Sequence, residues 1–181
     1  MTKTLSVVLG VLVACGCFLC LCSFCFYAFL IPIQKSTEIR NVNNAKTFSI
    51  KLERTACFGF CPIYSVEVDQ DGYVTYTGEK FVNFQGKKQY KIDKYMAEKL
   101  FQDAIDADFF NLNDRYVDQR VTDLPSTVIT ITADGRTKSI TMYGMEDFVP
   151  KRLRDLADKI DTVCETYQYV HTDDPTKLRF N

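Results

Sequence analysis

Thr55-Ala56-Cys57-Phe58-Gly59-Phe60-Cys61-Pro62-Ile63-Tyr64 is the stretch on which the reading of the fold turns. Two cysteines lie four apart, with Gly59 between them and Pro62 directly after. An alternating run, Phe48-Ser49-Ile50-Lys51-Leu52-Glu53, leads in. A second, Ile63-Tyr64-Ser65-Val66-Glu67-Val68, leads out. Alternation of apolar and polar residues marks a strand with one buried face. A tight loop between two such runs predicts that the cysteines close the first bend of a folded domain.

Downstream, Gln70-Asp71-Gly72 is a hairpin signal, because Asp-Gly readily supplies the positive φ of a tight turn. Tyr73 to Thr77 reads as a third strand, ended or bulged at Gly78. Phe81 to Phe84 and Gln89 to Ile92, split by Gln85-Gly86-Lys87, read as another hairpin. Asp93 is placed to cap a helix over 94–107, in which Met96, Leu100, Phe101, Ala104 and Ile105 share one face. A long polar connection then runs to Pro125. Residues 126–132 and 137–142 read as two strands joined by Asp134-Gly135. Pro150 suits the first turn of a last helix, with an apolar stripe of Leu153, Leu156, Ala157, Ile160, Val163, Cys164 and Tyr167. The expected fold is α+β: an antiparallel sheet of about five to six strands, two helices packed on one face, and one transmembrane helix ahead of it.

That helix is read from Leu5 to Ile33, where no charged residue occurs. Such a run is about 43 Å long as a helix, enough to cross a bilayer with tilt. The apolar core of a cleaved signal peptide is normally much shorter. Leu12-Val13-Ala14-Cys15 looks like a lipobox, which would make Cys15 an acylation site, but the residues after it stay apolar to Ile33. The preferred reading is an uncleaved signal anchor over 1–34, a polar linker over 35–46, an extracytoplasmic domain over 47–169 and a loose tail over 170–181. Cys15, Cys17, Cys20, Cys22 and Cys25 fall around much of this helix and read as small apolar side chains in lipid. The close pair Cys57 and Cys61 suits an oxidising compartment, hence the cell envelope.

Charge narrows the partners. Of the 22 Lys and Arg only Lys3 precedes residue 34, which leaves 21 against 23 Asp and Glu. No basic face of the kind nucleic acid requires follows from this. The membrane, through residues 5–33, is the expected partner, with an envelope protein or small ligand besides. There is no Ser-His-Asp set, no glycine-rich phosphate loop and no zinc spacing, so the chain is a poor candidate hydrolase, and no cofactor is expected.

Three motif pieces stand out together: Cys57-Phe58-Gly59-x-Cys61-Pro62-x-Tyr64, Asp71-Gly72-x-Val74-x-Tyr76-x-Gly78, and Thr122-Asp123-x-Pro125. They resemble an uncharacterised bacterial family, domain of unknown function 6438, over about residues 47–167. The resemblance implies a small extracytoplasmic α+β domain and carries no activity, substrate or cofactor. For Cys57 and Cys61 two readings stand. The first is a disulfide staple, worth roughly 2 kcal/mol for so short a loop in the chain-entropy model. The second is a thiol-redox or Cu(I) site, since C-x-x-x-C-P also resembles the copper loop of the synthesis-of-cytochrome-oxidase family; His171 would be its third ligand. The staple is preferred, because that family needs a distal histidine in a thioredoxin-like framework and His171 lies in the tail. Asp123 is expected to cap backbone amides in the turn before Pro125. Tyr73, Tyr76, Phe81 and Phe84 are the aromatic candidates for a contact surface. The function expected is therefore a non-enzymatic binding or structural module on a membrane anchor.

Overall fold

A computed structural model describes residues 45–170, apart from the side chain of Glu146. The chain divides after Asn44, and the described residues belong to the second unit. The expected anchor, its cysteines, the linker up to Asn44 and the tail with His171 lie outside the described residues. Among the described residues no helix is long and apolar enough to cross a bilayer.

Seven strands form the sheet: β1 Phe48–Arg54, β2 Ile63–Asp69, β3 Tyr73–Lys80, β4 Gly86–Lys91, β5 Arg115–Val117, β6 Thr127–Ala133 and β7 Arg136–Tyr143. Their order is β4-β3-β2-β1-β6-β7-β5. All pairings are antiparallel except β5 on β7, so the sheet is mixed and has more strands than expected. Three helices accompany it: α1 Lys94–Asp106, α2 Lys151–Val163 and the single turn α3 Tyr167–Val170.

Alternation does the sorting. Phe48, Ile50 and Leu52 of β1, Val66 and Val68 of β2, and Ile129 and Ile131 of β6 point to one face and are buried. Each such aliphatic side chain contributes roughly 1.5–3 kcal/mol by leaving water. α1 and α2 cover this face, burying Ala97, Leu100, Phe101 and Ala104 from one and Leu153, Leu156, Ala157 and Ile160 from the other. Phe48 stacks on Phe101 with ring centroids 4.4 Å apart. Asp93 caps α1 as expected, its carboxylate accepting from the Tyr95 amide at 2.8 Å.

Three expectations change. Phe81 to Phe84 is not a strand: Phe81 has φ 56°, which turns the chain out of β3 before β4 starts at Gly86. The connection before Pro125 holds β5, whose three residues are too few to show a period. The stripe on α2 stops early, because the helix ends at Val163 and Glu165 turns at φ 52°; Cys164 is buried, but Tyr167 is exposed.

The two Asp-Gly hairpins lie at the end of the sheet where the chain enters. Gly72 has φ 81°, and a Cβ there would stand 2.5 Å from the Ile92 carbonyl oxygen, so the position is closed to other residues. Asp71 beside it pairs with Lys94 at 2.9 Å, tying the hairpin to the start of α1. Asp134 and Gly135 both take positive φ. Asp134 Oδ1 also accepts from the amides of Thr47 and Lys46, each at 3.0 Å, and from the Thr47 hydroxyl. The Thr47 amide contributes most to holding this carboxyl below its ordinary 3.8. A depressed folded value means stability that is complete above the ordinary one and lost as pH falls through the folded one. Asp134→Asn is therefore expected to be less stable than the parent at roughly pH 6, with the gap narrowing as pH falls below the ordinary carboxyl value. A series of denaturant midpoints from neutral into acid checks this; a gap that does not narrow contradicts it.

Candidate functional site

The opposite end of the sheet gathers the first and third motif pieces and Gly78 of the second, whose Asp71 and Gly72 stay at the entry end. Cys57 and Cys61 follow β1 and precede β2, with their sulfurs at disulfide distance and their Cα atoms 5.7 Å apart. Both cysteines are half-buried, while the three residues between them are exposed. Phe58 is 88% exposed and Phe60 55%. The loop is held on both flanks. On one side the Phe58 amide donates to the Asp123 carbonyl at 3.1 Å, and Thr55 and Ser126 exchange bonds of 3.0 and 2.9 Å. On the other, the Phe60 ring meets Phe81 edge to face at 5.3 Å. Motif pieces more than sixty residues apart in the chain thus meet at one place.

Asp123 does this work through its carbonyl, at φ 71°. Its carboxylate accepts from the Thr122 hydroxyl at 3.0 Å and is not the backbone cap that its sequence context implies. That role belongs to Asp118, which accepts from the Arg120 amide at 3.0 Å and from its guanidinium at 2.8 Å.

Beneath the loop lies a polar cluster. Asp161 of α2 receives Arg54 Nη2 at 2.7 Å, the Tyr64 hydroxyl at 2.8 Å and the Thr166 hydroxyl at 2.7 Å. Arg54 Nη1 also donates to Thr127 at 3.2 Å. Burial acts most strongly on Arg54 and would lower its pKa, but the charges and hydrogen bonds of Asp161 and Tyr64 together outweigh it, and the group is held above its ordinary value. Burial first, then Asp161, raise the Tyr64 hydroxyl well above its usual range, so it stays a donor. Arg54 and Asp161 are not among the residues the sequence singles out, yet it carries a signal for one of them. The positions 48, 50, 52 and 54 share the inward face of β1, and a base at the last of them demands a buried partner.

Tyr64, Tyr76 and Val170 form a buried cluster joined by Val82, Phe84, Tyr90 and Tyr169. Tyr76 and Phe84, expected as contact-surface candidates, belong to this core. Gly78 sits where a Cβ would run into the Phe84 carbonyl oxygen and approach the Tyr76 hydroxyl at 2.7 Å. Tyr73 is exposed beneath Lys91 at the chain-entry end, away from the disulfide loop. Cys164 closes α2 with its carbonyl accepting from Tyr90; burial, then Asp161, push its thiol up to about 12. Among the described residues no group of three or more His, Cys, Asp or Glu is placed to hold a metal ion.

A cleft of about 410 Å³ opens between the ends of β6 and β7 and the start of α2. Pro125 of the third motif piece and Arg54 of the cluster both line it.

An α+β domain with a cross-linked aromatic loop at one sheet end is the class of protein these features define. The family model described as Domain of unknown function (DUF6438) matches residues 48–164, and the chain belongs to that family. No curated protein matches the chain.

Proposed function

We propose that this is a membrane-anchored, non-enzymatic recognition module of the cell envelope, stapled by a Cys57–Cys61 disulfide, whose contact surface is the sheet end bearing that disulfide loop. The observation that carries the reading is Phe58: a phenylalanine exposed at the tip of a loop held by two sulfurs at bonding distance and by the Asp123 carbonyl. Burying that ring against a partner would contribute roughly 2–3 kcal/mol, and the preformed loop has little left to order. Phe60, Met145 and Phe148 are exposed as well, in the segments that follow β1 and β7 at the same sheet end. Aromatic and methionine side chains are the types enriched in protein contacts. The uncharged run 5–33 supports the anchor. The copper reading of the same loop requires separate thiolates, which the disulfide-distance pair does not present; a thiol-exchange site passes through the same disulfide and is told from a staple by its reduction potential.

Phe58→Ala is expected to change stability by no more than about 0.5 kcal/mol, as an exposed position should. It is expected to weaken partner binding by roughly thirtyfold, as the loss of a central aromatic anchor does. Cross-linking of envelopes from parent and variant checks this. An adduct present in the parent and lost in an equally stable variant is the expected result; an identical adduct in both counts against the surface.

A further inference from the structure

We infer that the cleft beside the disulfide loop binds a single carboxylate on a small body, the chemistry of a peptide's C-terminal residue or of a small free acid. This deepens the recognition reading by naming what is recognised. The volume of about 410 Å³ is in the range of small-ligand sites. Pro125 lines one side, while Met142, Val149 and Ala157 are largely buried behind the wall, so most of the surface the cleft presents is polar.

Three bases and two carboxylates also line the cleft: Arg54, Lys151, Arg154, Asp155 and Asp158. The two carboxylates are matched. Both oxygens of Asp155 accept from Lys151 at 2.7 Å, and Asp158 lies 3.5 Å from Arg54. Arg54 is held more closely by Asp161, outside the lining. Arg154 is the base left over. Its Nη1 donates to the Val149 carbonyl at 2.8 Å, and it has no carboxylate partner among the described residues. That bond fixes one arm of the guanidinium and leaves the Nε–Nη2 edge to take a carboxylate through two parallel hydrogen bonds. Counting Asp161, three carboxylates balance the three bases around the cleft, and Arg154 is the base whose guanidinium none of them takes up.

The test is calorimetric titration of the full chain in detergent micelles with N-acetyl-leucine, N-acetyl-leucinamide and isovalerate. N-acetyl-leucine is expected to bind saturably, and the amide, which lacks the charge, at least about tenfold more weakly. Arg154→Gln is expected to lose at least about tenfold in affinity for N-acetyl-leucine, while Arg152→Gln, one position along and paired to Asp108, loses nothing. Isovalerate binding as tightly as N-acetyl-leucine identifies a free acid; a clear preference for N-acetyl-leucine identifies a peptide terminus. Equal binding of acid and amide, no saturable binding of any probe, or an unchanged Arg154→Gln variant overturns the inference. Phe58 is not part of the cleft lining, so Phe58→Ala is expected to leave this titration unaltered. If the cleft fails while the Phe58-dependent adduct persists, only the ligand chemistry is wrong; if both fail, the recognition reading goes with it.

Discussion

Asp161→Ala is expected to destabilise the domain by about 3 kcal/mol, a fall in melting temperature of roughly 10 °C. The carboxylate is the shared acceptor of Arg54, Tyr64 and Thr166, so one truncation strips three donors at once. Its side chain is 19% exposed and that of Arg54 28%, so water replaces only part of what is lost. A guanidinium left without its carboxylate in such a place is a worse outcome than no charge at all. Hence a second expectation: Arg54→Met with Asp161→Leu is more stable than Asp161→Ala alone, because it removes both charges together. Urea denaturation of the three proteins decides. A loss below about 1 kcal/mol for Asp161→Ala would mean that the cluster is solvated and does not anchor α2 to the sheet.

Replacing both cysteines, Cys57→Ser with Cys61→Ser, is expected to remove about 2 kcal/mol. The cross-link closes a very short loop, so the chain-entropy gain is near the low end for disulfides. Dithiothreitol should lower the midpoint of the parent by the same amount and leave the double variant unmoved. Bonds from Thr55, Phe58 and Ser126 survive the substitution, so the variant should fold, with the loop as its least protected part. A parent whose midpoint ignores dithiothreitol would contradict the staple.

Much of this architecture is legible from residue order. Strict alternation in Phe48–Arg54 and Ile63–Asp69 identifies strands because one face of each is buried and the other faces water. Asp134-Gly135 identifies its hairpin because both residues must take positive φ. The stripe Leu153, Leu156, Ala157 and Ile160 identifies α2. What escapes has a common cause, dependence on contacts distant in sequence. β5 is a strand only because Arg115–Val117 lies against β7. Phe84 reads as a surface aromatic until Tyr169, far along the chain, is seen to pack on it and to accept its amide at 2.9 Å. The meeting of the Cys57–Cys61 loop with Asp123 needs the β1–β6 pairing, which no local pattern encodes. Arg54 lies between these cases: it occupies an inward position that its periodicity exposes, and only its pairing with Asp161 requires the fold.

The most direct measurement is site-specific photo-crosslinking in living cells, with a photoreactive phenylalanine analogue placed at position 58 and, in a second protein, at position 130 on the open, polar face of the sheet. The recognition surface predicts a discrete adduct from position 58, weakened when Cys57 and Cys61 are serine, and none from position 130. Silence at position 58, or the same adducts from both positions, would contradict it.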